Sequence, residues 1–358
     1  MNDLTPLSAS RIKTAQTCSW IYWCKYKLKL PDKSNDGASR GSICHLVFEC
    51  LGNPRHKKHY TSIVKAGSVQ GSASVWKMVL NYAKKLSVDD KENLDLIDKM
   101  TVNGLNYDFF GDELGKPTEG ISEKEFNIEV REGNKKYKIR GFIDKLFLYS
   151  KKKKALIRDF KSSKQVFKGK EITDNLQNLM YALAVKHLYP EFLKRESEFV
   201  FLKFDLSKNL FGEKGSGIIR MGDMEDEELE GFEYYLTEVQ SFIDSFSEED
   251  GKANLAAKQS YPSDGTFGGP LACGKDGYKM SRGEPVLDQN GEPIKAFICA
   301  FRKPCIYYVL LNKDGKVLKS VFEDEKDYLI ADESKEESIE ERKYNGCPHW
   351  NRPDPFEL

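Results

Sequence analysis

Asp144, Asp159 and Lys161 are the residues whose types and spacing most directly suggest chemistry. Two carboxylates and one ammonium, brought together, suit a hard divalent cation such as Mg2+. That ion takes one or two carboxylates together with substrate phosphate and water. The lysine would orient an attacking water or offset charge growing on a phosphate. The same short D-x-K pattern also describes an ordinary amphipathic hairpin with a surface ion pair, so its surroundings decide between the two.

The elements that must position these residues lie between Tyr137 and Tyr189. Apolar, aromatic and β-branched residues predict a strand over Tyr137–Tyr149 and a second over Ala155–Phe160, joined by a turn at Lys151–Lys154. Alternation puts Asp159 and Lys161 on one face and Phe160 on the other, and closing the hairpin brings Asp144 near the pair. A helix carrying Gln177 and Tyr181 follows and ends before Pro190. Ile121–Val130 reads as a strand preceding the hairpin, with Glu123 and Glu125 on one face. The sequence does not choose between them, although Glu125 has the better context beside Phe126. Upstream, Gly41 opens a helix whose buried face is Ile43, Leu46, Val47 and Leu51, and His45 shares it. A lone helical histidine is more often structural than a ligand.

Taken in order, these motifs resemble the PD-(D/E)XK nucleases. G-x-x-D on one strand and D-F-K on the next match the core of that superfamily. Gln177-Asn178-Leu179-Met180-Tyr181 is similar to the Q-x-x-x-Y motif of the RecB-like exonuclease branch, which includes the AddB nuclease domain and the CRISPR-associated RecB-like exonucleases. Arg40-Gly41-Ser42-Ile43-Cys44-His45 fits that branch's upstream histidine. Ser8-Ala9-Ser10-Arg11-Ile12, followed by Cys18, fits its opening motif. The resemblance covers roughly residues 5–50 and 120–190. It implies that His45, Asp144, Asp159 and the Phe160 carbonyl hold one or two Mg2+ or Mn2+ ions, an imidazole ligand suiting Mn2+ better. It also implies that Lys161 acts on the attacking water, that Gln177 and Tyr181 brace the lysine or orient the DNA end, and that an upstream glutamate, Glu125 by preference, completes the acidic cluster.

Cysteines extend the resemblance. Several RecB-like nucleases hold a four-iron cluster with one cysteine before the core and three after it, the last two separated by five residues. Cys18, Cys273, Cys299 and Cys305 fit that plan, five residues lying between Cys299 and Cys305. The long stretch between Cys273 and Cys299 departs from it, and Cys24 or Cys347 would serve as substitutes. Zinc and plain packing are the alternatives.

Composition bounds the rest. The chain has 358 residues, 39% hydrophobic and 31% charged, enough apolar material for one large or two ordinary domains. No apolar run reaches membrane-spanning length and no signal-peptide pattern is seen, so a cytoplasmic location is expected. Lysine plus arginine and aspartate plus glutamate each number 56, so net charge is zero. A uniformly basic DNA-coating protein is disfavoured, but a local basic groove is not. The eight cysteines read as thiols or metal ligands. No phosphate-binding GK[ST] loop is present, so no ATP-driven motor is expected.

The organisation expected is N-terminal helices over 1–51, a helical insertion over 52–120, the nuclease core and following helix over 121–250, and a cysteine-bearing segment over 251–358. Within these, Thr5–Leu28 reads as an approach and one helix, with Trp20, Tyr22 and Trp23 packing in a core. Asp223–Asp250 reads as a helix with the apolar stripe Leu229, Phe232, Tyr235, Leu236, Val239, Phe242 and Ile243. Ile306–Leu311 and Lys316–Phe322 read as a hairpin around Asn312–Gly315, and Glu323–Glu341 as a charged helix or linker.

The fold class expected is therefore α/β, a small mixed sheet flanked by helices. The expected activity is metal-dependent hydrolysis of DNA, on single strands or ends, with a helicase or recombination partner in repair or DNA processing. Arg40 and Lys164 are the expected DNA contacts. The rivals are a non-catalytic DNA-binding scaffold and a site-specific endonuclease of the same fold.

Overall fold

The computed structural model describes residues 3–32, 35–207, 215–253 and 299–348, with short stretches between 280 and 293. Two compact units emerge. The first comprises residues 1–9 and 34–244, the second residues 10–33 and 245–358.

The first unit is built on a five-stranded sheet in the order β1 (Glu119–Glu132), β2 (Lys135–Tyr149), β3 (Lys154–Lys161), β4 (Lys194–Phe201) and β5 (Ile218–Met221). All neighbours are antiparallel except β3 and β4. A parallel pair needs a crossover, and the helix Leu176–Leu188 lies within it. This is the mixed α/β sheet that the sequence predicts. Lys153 takes a left-handed conformation in the β2–β3 turn, within the expected lysine run.

Helices cover the sheet. Asp36–Gly52 is capped by Asn35, whose side chain accepts from Ala38 N at 3.0 Å. Its apolar residues Ile43, Val47, Phe48 and Leu51 join one core with Ile63, Val79, Ile97, Met100, Leu105 and Phe160. The expected helical insertion supplies three helices, Lys57–Ala66, Ala73–Lys85 and Lys91–Asn106, the first not anticipated. The helix Asp226–Ser245 corrects the expected stripe. Leu229, Phe232, Leu236 and Ile243 are buried, but so are Glu233 and Gln240, while Phe242 is 48% exposed. The polar pair turns inward because each satisfies a group on β2. Tyr137 OH donates to Glu233 Oε1 at 2.7 Å, and Gln240 Oε1 accepts from Lys138 N at 2.9 Å.

One buried charge network was not legible. Arg158 on β3 is fully enclosed. It donates to Glu198 Oε1 at 2.9 Å and contacts Asp108 Oδ2 at 3.1 Å, and Glu198 also accepts from Tyr107 OH at 2.8 Å and Arg220 Nε at 3.0 Å. A buried ion pair of this kind is tolerable only because the carboxylate oxygens and guanidinium protons find partners.

In the second unit, the single helix expected over Thr5–Leu28 is broken. Ala9–Thr17 ends at Cys18, Ser19–Tyr22 restarts, and Trp23–Lys27 widens into a π turn. Cys18 causes the restart by capping it, its sulfur accepting from Ile21 N. Trp20 and Tyr22 are buried, as core packing requires, and Trp23 is half-buried against the same core. The predicted hairpin forms as Cys305–Leu311 and Val317–Phe322, and Ser338–Tyr344 adds a third strand beside Cys305–Leu311. The charged segment, expected as a helix or linker, forms two 3-10 turns, Glu323–Tyr328 and Glu333–Lys335, leading into a strand. Among the described residues, no helix is long and apolar enough to cross a membrane.

Candidate active site

The site forms where β2 parts from β3. Their ladder runs from Tyr149 opposite Lys154 to Lys145 opposite Arg158 and stops there. The next backbone groups of β3 still need partners. The Asp144 side chain supplies one, Oδ2 accepting from Phe160 N at 2.7 Å. His45 supplies the other, its Nε2 lying 3.1 Å from the Phe160 carbonyl oxygen. The D-F-K strand therefore presents its central peptide, rather than a closed ladder, to the cluster.

Alternation along β2 inverts at this fork. Tyr137 reaches Glu233 and His187, on the helices Asp226–Ser245 and Leu176–Leu188. Lys145, an even number of residues on, lies instead over the Phe109 ring and pairs with Arg158, whose side chain meets Asp108. Asp159, next to Arg158, meets Tyr181 on the other face. Opposite the inversion, Glu123 on β1 has a left-handed backbone, φ +48, and the β1–β2 register passes from Ser122–Lys145 to Lys124–Ile143 without it. Such a conformation is unfavourable for a residue with a Cβ, and tends to occur where a side chain must be re-aimed.

The re-aimed carboxylate is a ligand candidate. Glu123 Oε1 lies 3.8 Å from His45 Nδ1, and Asp144 Oδ2 lies 3.4 Å from the same nitrogen. His45, Glu123 and Asp144 offer donor atoms all within 4.8 Å of one another. Glu125, the glutamate preferred on sequence grounds, is not brought there. It is exposed and pairs with Arg140 at 3.1 Å. The regular alternation assumed for the two glutamates fails at Glu123, and nothing in the residue types announces it.

His45 is held in place by two close approaches. A Cβ at Gly41 would lie 2.7 Å from Ser162 Oγ, and one at Gly52 would run into Ser122 Oγ. Glycine at both positions lets the helix lie down on the ends of β3 and β1, with the imidazole between.

On the other side, Asp159 and Lys161 are locked to the Leu176–Leu188 helix. Gln177 Nε2 donates to Asp159 Oδ1 at 2.7 Å, and Gln177 Oε1 accepts from Lys161 Nζ at 2.7 Å. Tyr181 OH donates to Asp159 Oδ1 at 3.0 Å and accepts from Gln177 Nε2 at 2.6 Å. The four-residue spacing stacks Gln177 and Tyr181 on one helix face. Lys161 Nζ is 2.6 Å from Asp159 Oδ2, a contact poorly aligned for hydrogen bonding, so this buried oxygen has acceptor capacity left for a cation.

The electrostatics are those of an acidic pocket. Burial works against a charged His45. The hydrogen-bonding carboxylates of Asp144 and Glu123, with the charge of Asp159, outweigh it and raise the imidazole to about 10. Burial, then the charge of Asp159, raises Asp144 to about 6 despite His45 and the Phe160 N–H. Burial and the same carboxylates push Tyr181 well above its ordinary value. A divalent cation would relieve that repulsion, and the donor set of carboxylates, imidazole and a peptide carbonyl fits one.

The two predicted DNA contacts lie nearby. Arg40 is one turn before His45 and donates to Asn93 Oδ1, and Lys164 is exposed just beyond Lys161.

The described cysteines of the cluster plan lie in the second unit, whereas Cys44 and Cys50 lie on the Asp36–Gly52 helix of the first. Cys18, Cys24 and Cys299 are buried in one core with Trp20, Phe301 and Tyr344, and Cys305 and Cys347 pack against it. Burial, and then the charges of Cys299, Cys347 and Cys18, raise the Cys24 thiol against a lowering hydrogen bond with Tyr344. Cys273 lies outside the described residues.

No curated protein matches the chain. The model of one family, the PD-(D/E)XK nuclease superfamily, matches residues 6–273. That span holds the five-stranded sheet, the fork with Asp144 and the D-F-K strand, and the chain therefore belongs to the PD-(D/E)XK nuclease superfamily.

Proposed function

We propose that this nuclease is a Mg2+- or Mn2+-dependent deoxyribonuclease of the RecB-like exonuclease branch, acting on single-stranded DNA or DNA ends in recombination, repair or DNA processing. The observation that carries this reading is the Gln177 side chain, bonded at once to Asp159 and Lys161. The Q-x-x-x-Y motif of the end-processing branch is thus joined to the reactive pair rather than spent on core packing.

His45, Asp144, Asp159 and the Phe160 carbonyl would hold the metal, with Glu123 as the further carboxylate. When bound, the cation polarises a phosphoryl oxygen and makes a water a better nucleophile. Lys161 faces the site with an ammonium that orients water and offsets charge growing on the phosphate. Gln177 holds that ammonium, and Tyr181 fixes the Asp159 carboxylate that would help to hold the metal.

A four-iron cluster on Cys18, Cys273, Cys299 and Cys305, with Cys24 or Cys347 as substitutes, belongs to the same reading. Its support is the shared core of Cys18, Cys299, Cys305 and Cys347. Iron and acid-labile sulfide in anaerobically purified protein test it, and zinc alone, or no metal, would refute it.

The test of the nuclease reading is incubation of end-labelled linear single-stranded, linear duplex and closed circular single-stranded DNA with Mg2+ or Mn2+, beside Asp159→Ala and an EDTA control. Progressive loss of linear strands only, abolished by EDTA and by the substitution, is expected. Equal rates on the circle would remove the exonuclease assignment, and a single sharp duplex cut would favour a site-specific endonuclease. Binding without any cleavage would favour the scaffold.

A further inference from the structure

The parallel strands β3 and β4 end side by side, Lys161 O accepting from Leu202 N at 2.9 Å. Lys203 follows Leu202 and Ser162 follows Lys161. The first turn of the Asp36–Gly52 helix is docked at the same edge, Ser162 Oγ donating to Gly37 O at 3.2 Å. That docking brings Arg40 within electrostatic reach of Lys203, as Lys164 also is. Burial, then the charges of Arg40 and Lys164, lower the Lys203 pKa. Among the described residues, none of these three cations is in an ion pair. Like charges gathered in this way repel one another, and an anion such as a phosphate would relieve the repulsion.

Beyond Lys203 the surface opens into a cavity of about 510 Å³. Its walls include Lys99, Asn103, Asn106, Tyr107 and Phe204. Among the described lining residues Asp205 is the one carboxylate, and it already accepts from Ser207 N and Oγ at 2.9 and 2.7 Å. Asn103 is spent on Leu202 O at 3.0 Å and Tyr107 is buried with its OH on Glu198, which leaves the exposed Asn106 amide, the exposed Lys99 ammonium and the half-buried Phe204 ring to meet a base and its phosphate. The cavity lies past the end of β4, on the run that starts at Lys161 in the reactive cluster.

We propose that Arg40, Lys164 and Lys203 grip the phosphates of a DNA single strand next to the metal cluster, and that the cavity beyond Lys203 seats one of its nucleotides. The strand thus crosses the C-terminal ends of β3 and β4. This rests on the nuclease reading and assigns its substrate path.

The test uses the full chain with a short fluorescein-labelled oligothymidylate, with Ca2+ in place of Mg2+ to hold cleavage back, read by anisotropy across a salt series. Lys203→Glu is expected to weaken binding roughly tenfold, the equivalent of one lost charge-assisted contact. Lys203→Ala should flatten the salt dependence by about 0.7 in log–log slope, one phosphate's worth for a single strand. Lys203→Arg should restore both. Thymidine 5′-monophosphate should show saturation transfer with the wild type and not with Lys203→Glu. Lys77→Glu on the helix Ala73–Lys85 is the control for net charge and should bind as wild type does.

Unchanged affinity and slope in the Arg40→Ala, Lys164→Ala and Lys203→Ala variants of a wild type that binds and cleaves would overturn the path and leave the nuclease reading standing. An equal loss in Lys77→Glu would reduce the effect to overall charge and overturn it too. A wild type that neither binds nor cleaves DNA would bring down both.

Discussion

Glu123 Oε1 stands 3.8 Å from His45 Nδ1 on a backbone turned into the left-handed region, so the carboxylate reaches the cluster from a strand whose regular geometry would not deliver it. Glu123→Gln should therefore weaken Mn2+ binding by about tenfold or more, as loss of a ligand or of a group orienting one does. Glu125→Gln, which disturbs only the exposed pair with Arg140, should bind Mn2+ as the wild type does. Calorimetric titration of the two variants checks this. The reverse ranking would restore Glu125 to the site.

Gln177→Ala removes the bridge between Asp159 and Lys161 without touching the main chain of either. The expected result is a fall in kcat of about 10–100-fold, with an unchanged circular dichroism spectrum. A variant that cleaves at the wild-type rate would show that the bridge is not needed to position the pair.

Lys145 is buried, its amine 3.8 Å from the centre of the Phe109 ring, and burial followed by the charge of Arg158 lowers it to about 7. The unfolded chain keeps this proton up to the ordinary lysine value, so between those limits it binds more protons than the fold. Stability contributed at this position should rise with pH across that window and be lowest below it. Lys145→Met should accordingly raise Tm more below a pH of about 7 than near a pH of about 10. Thermal unfolding of both proteins at several pH values measures it. A Tm loss at low pH would mean that the aromatic face holds the charged amine after all.

Arg158→Met leaves Glu198 Oε1 and Asp108 without their guanidinium, although Arg220 still holds Glu198 Oε2, and should cost roughly 3 kcal/mol of stability in urea unfolding. Pairing it with Glu198→Gln should recover part of that. Additive losses in the double variant would contradict a direct coupling.

The placement of the candidate cluster was legible in the sequence wherever a regular period held. Asp159 and Lys161 share a strand face, Gln177 and Tyr181 a helix face, and His45 falls on a helix whose apolar spacing is unambiguous. Glu123 escaped because a single left-handed residue breaks the alternation on which the choice between it and Glu125 depended. Arg158 escaped because a charge inside an apolar strand looks alike whether it meets solvent or a buried partner forty residues away. Gln240 and Glu233 escaped for a related reason. A polar residue turns inward when it has a backbone or hydroxyl group to satisfy, and that group lies on β2. The break at Cys18 is a cap supplied by a sulfur, which no composition rule flags.

The outer edge of β2 has a kinetic consequence. Beyond the fork, β3 no longer covers it, and Leu7 takes over, its N–H bonding Lys138 O at 2.7 Å and its carbonyl accepting from Arg140 N. Gln240 then joins the two by donating to Thr5 O, 235 residues away. A chain emerging from its N-terminus makes Leu7 early and the helix that fastens it late. During that interval β2 is an open template for strands of other copies, and closing it demands a contact of high sequence separation. The yield of folded protein should therefore depend on how quickly synthesis reaches Gln240, and on how crowded the nascent chains are until it does.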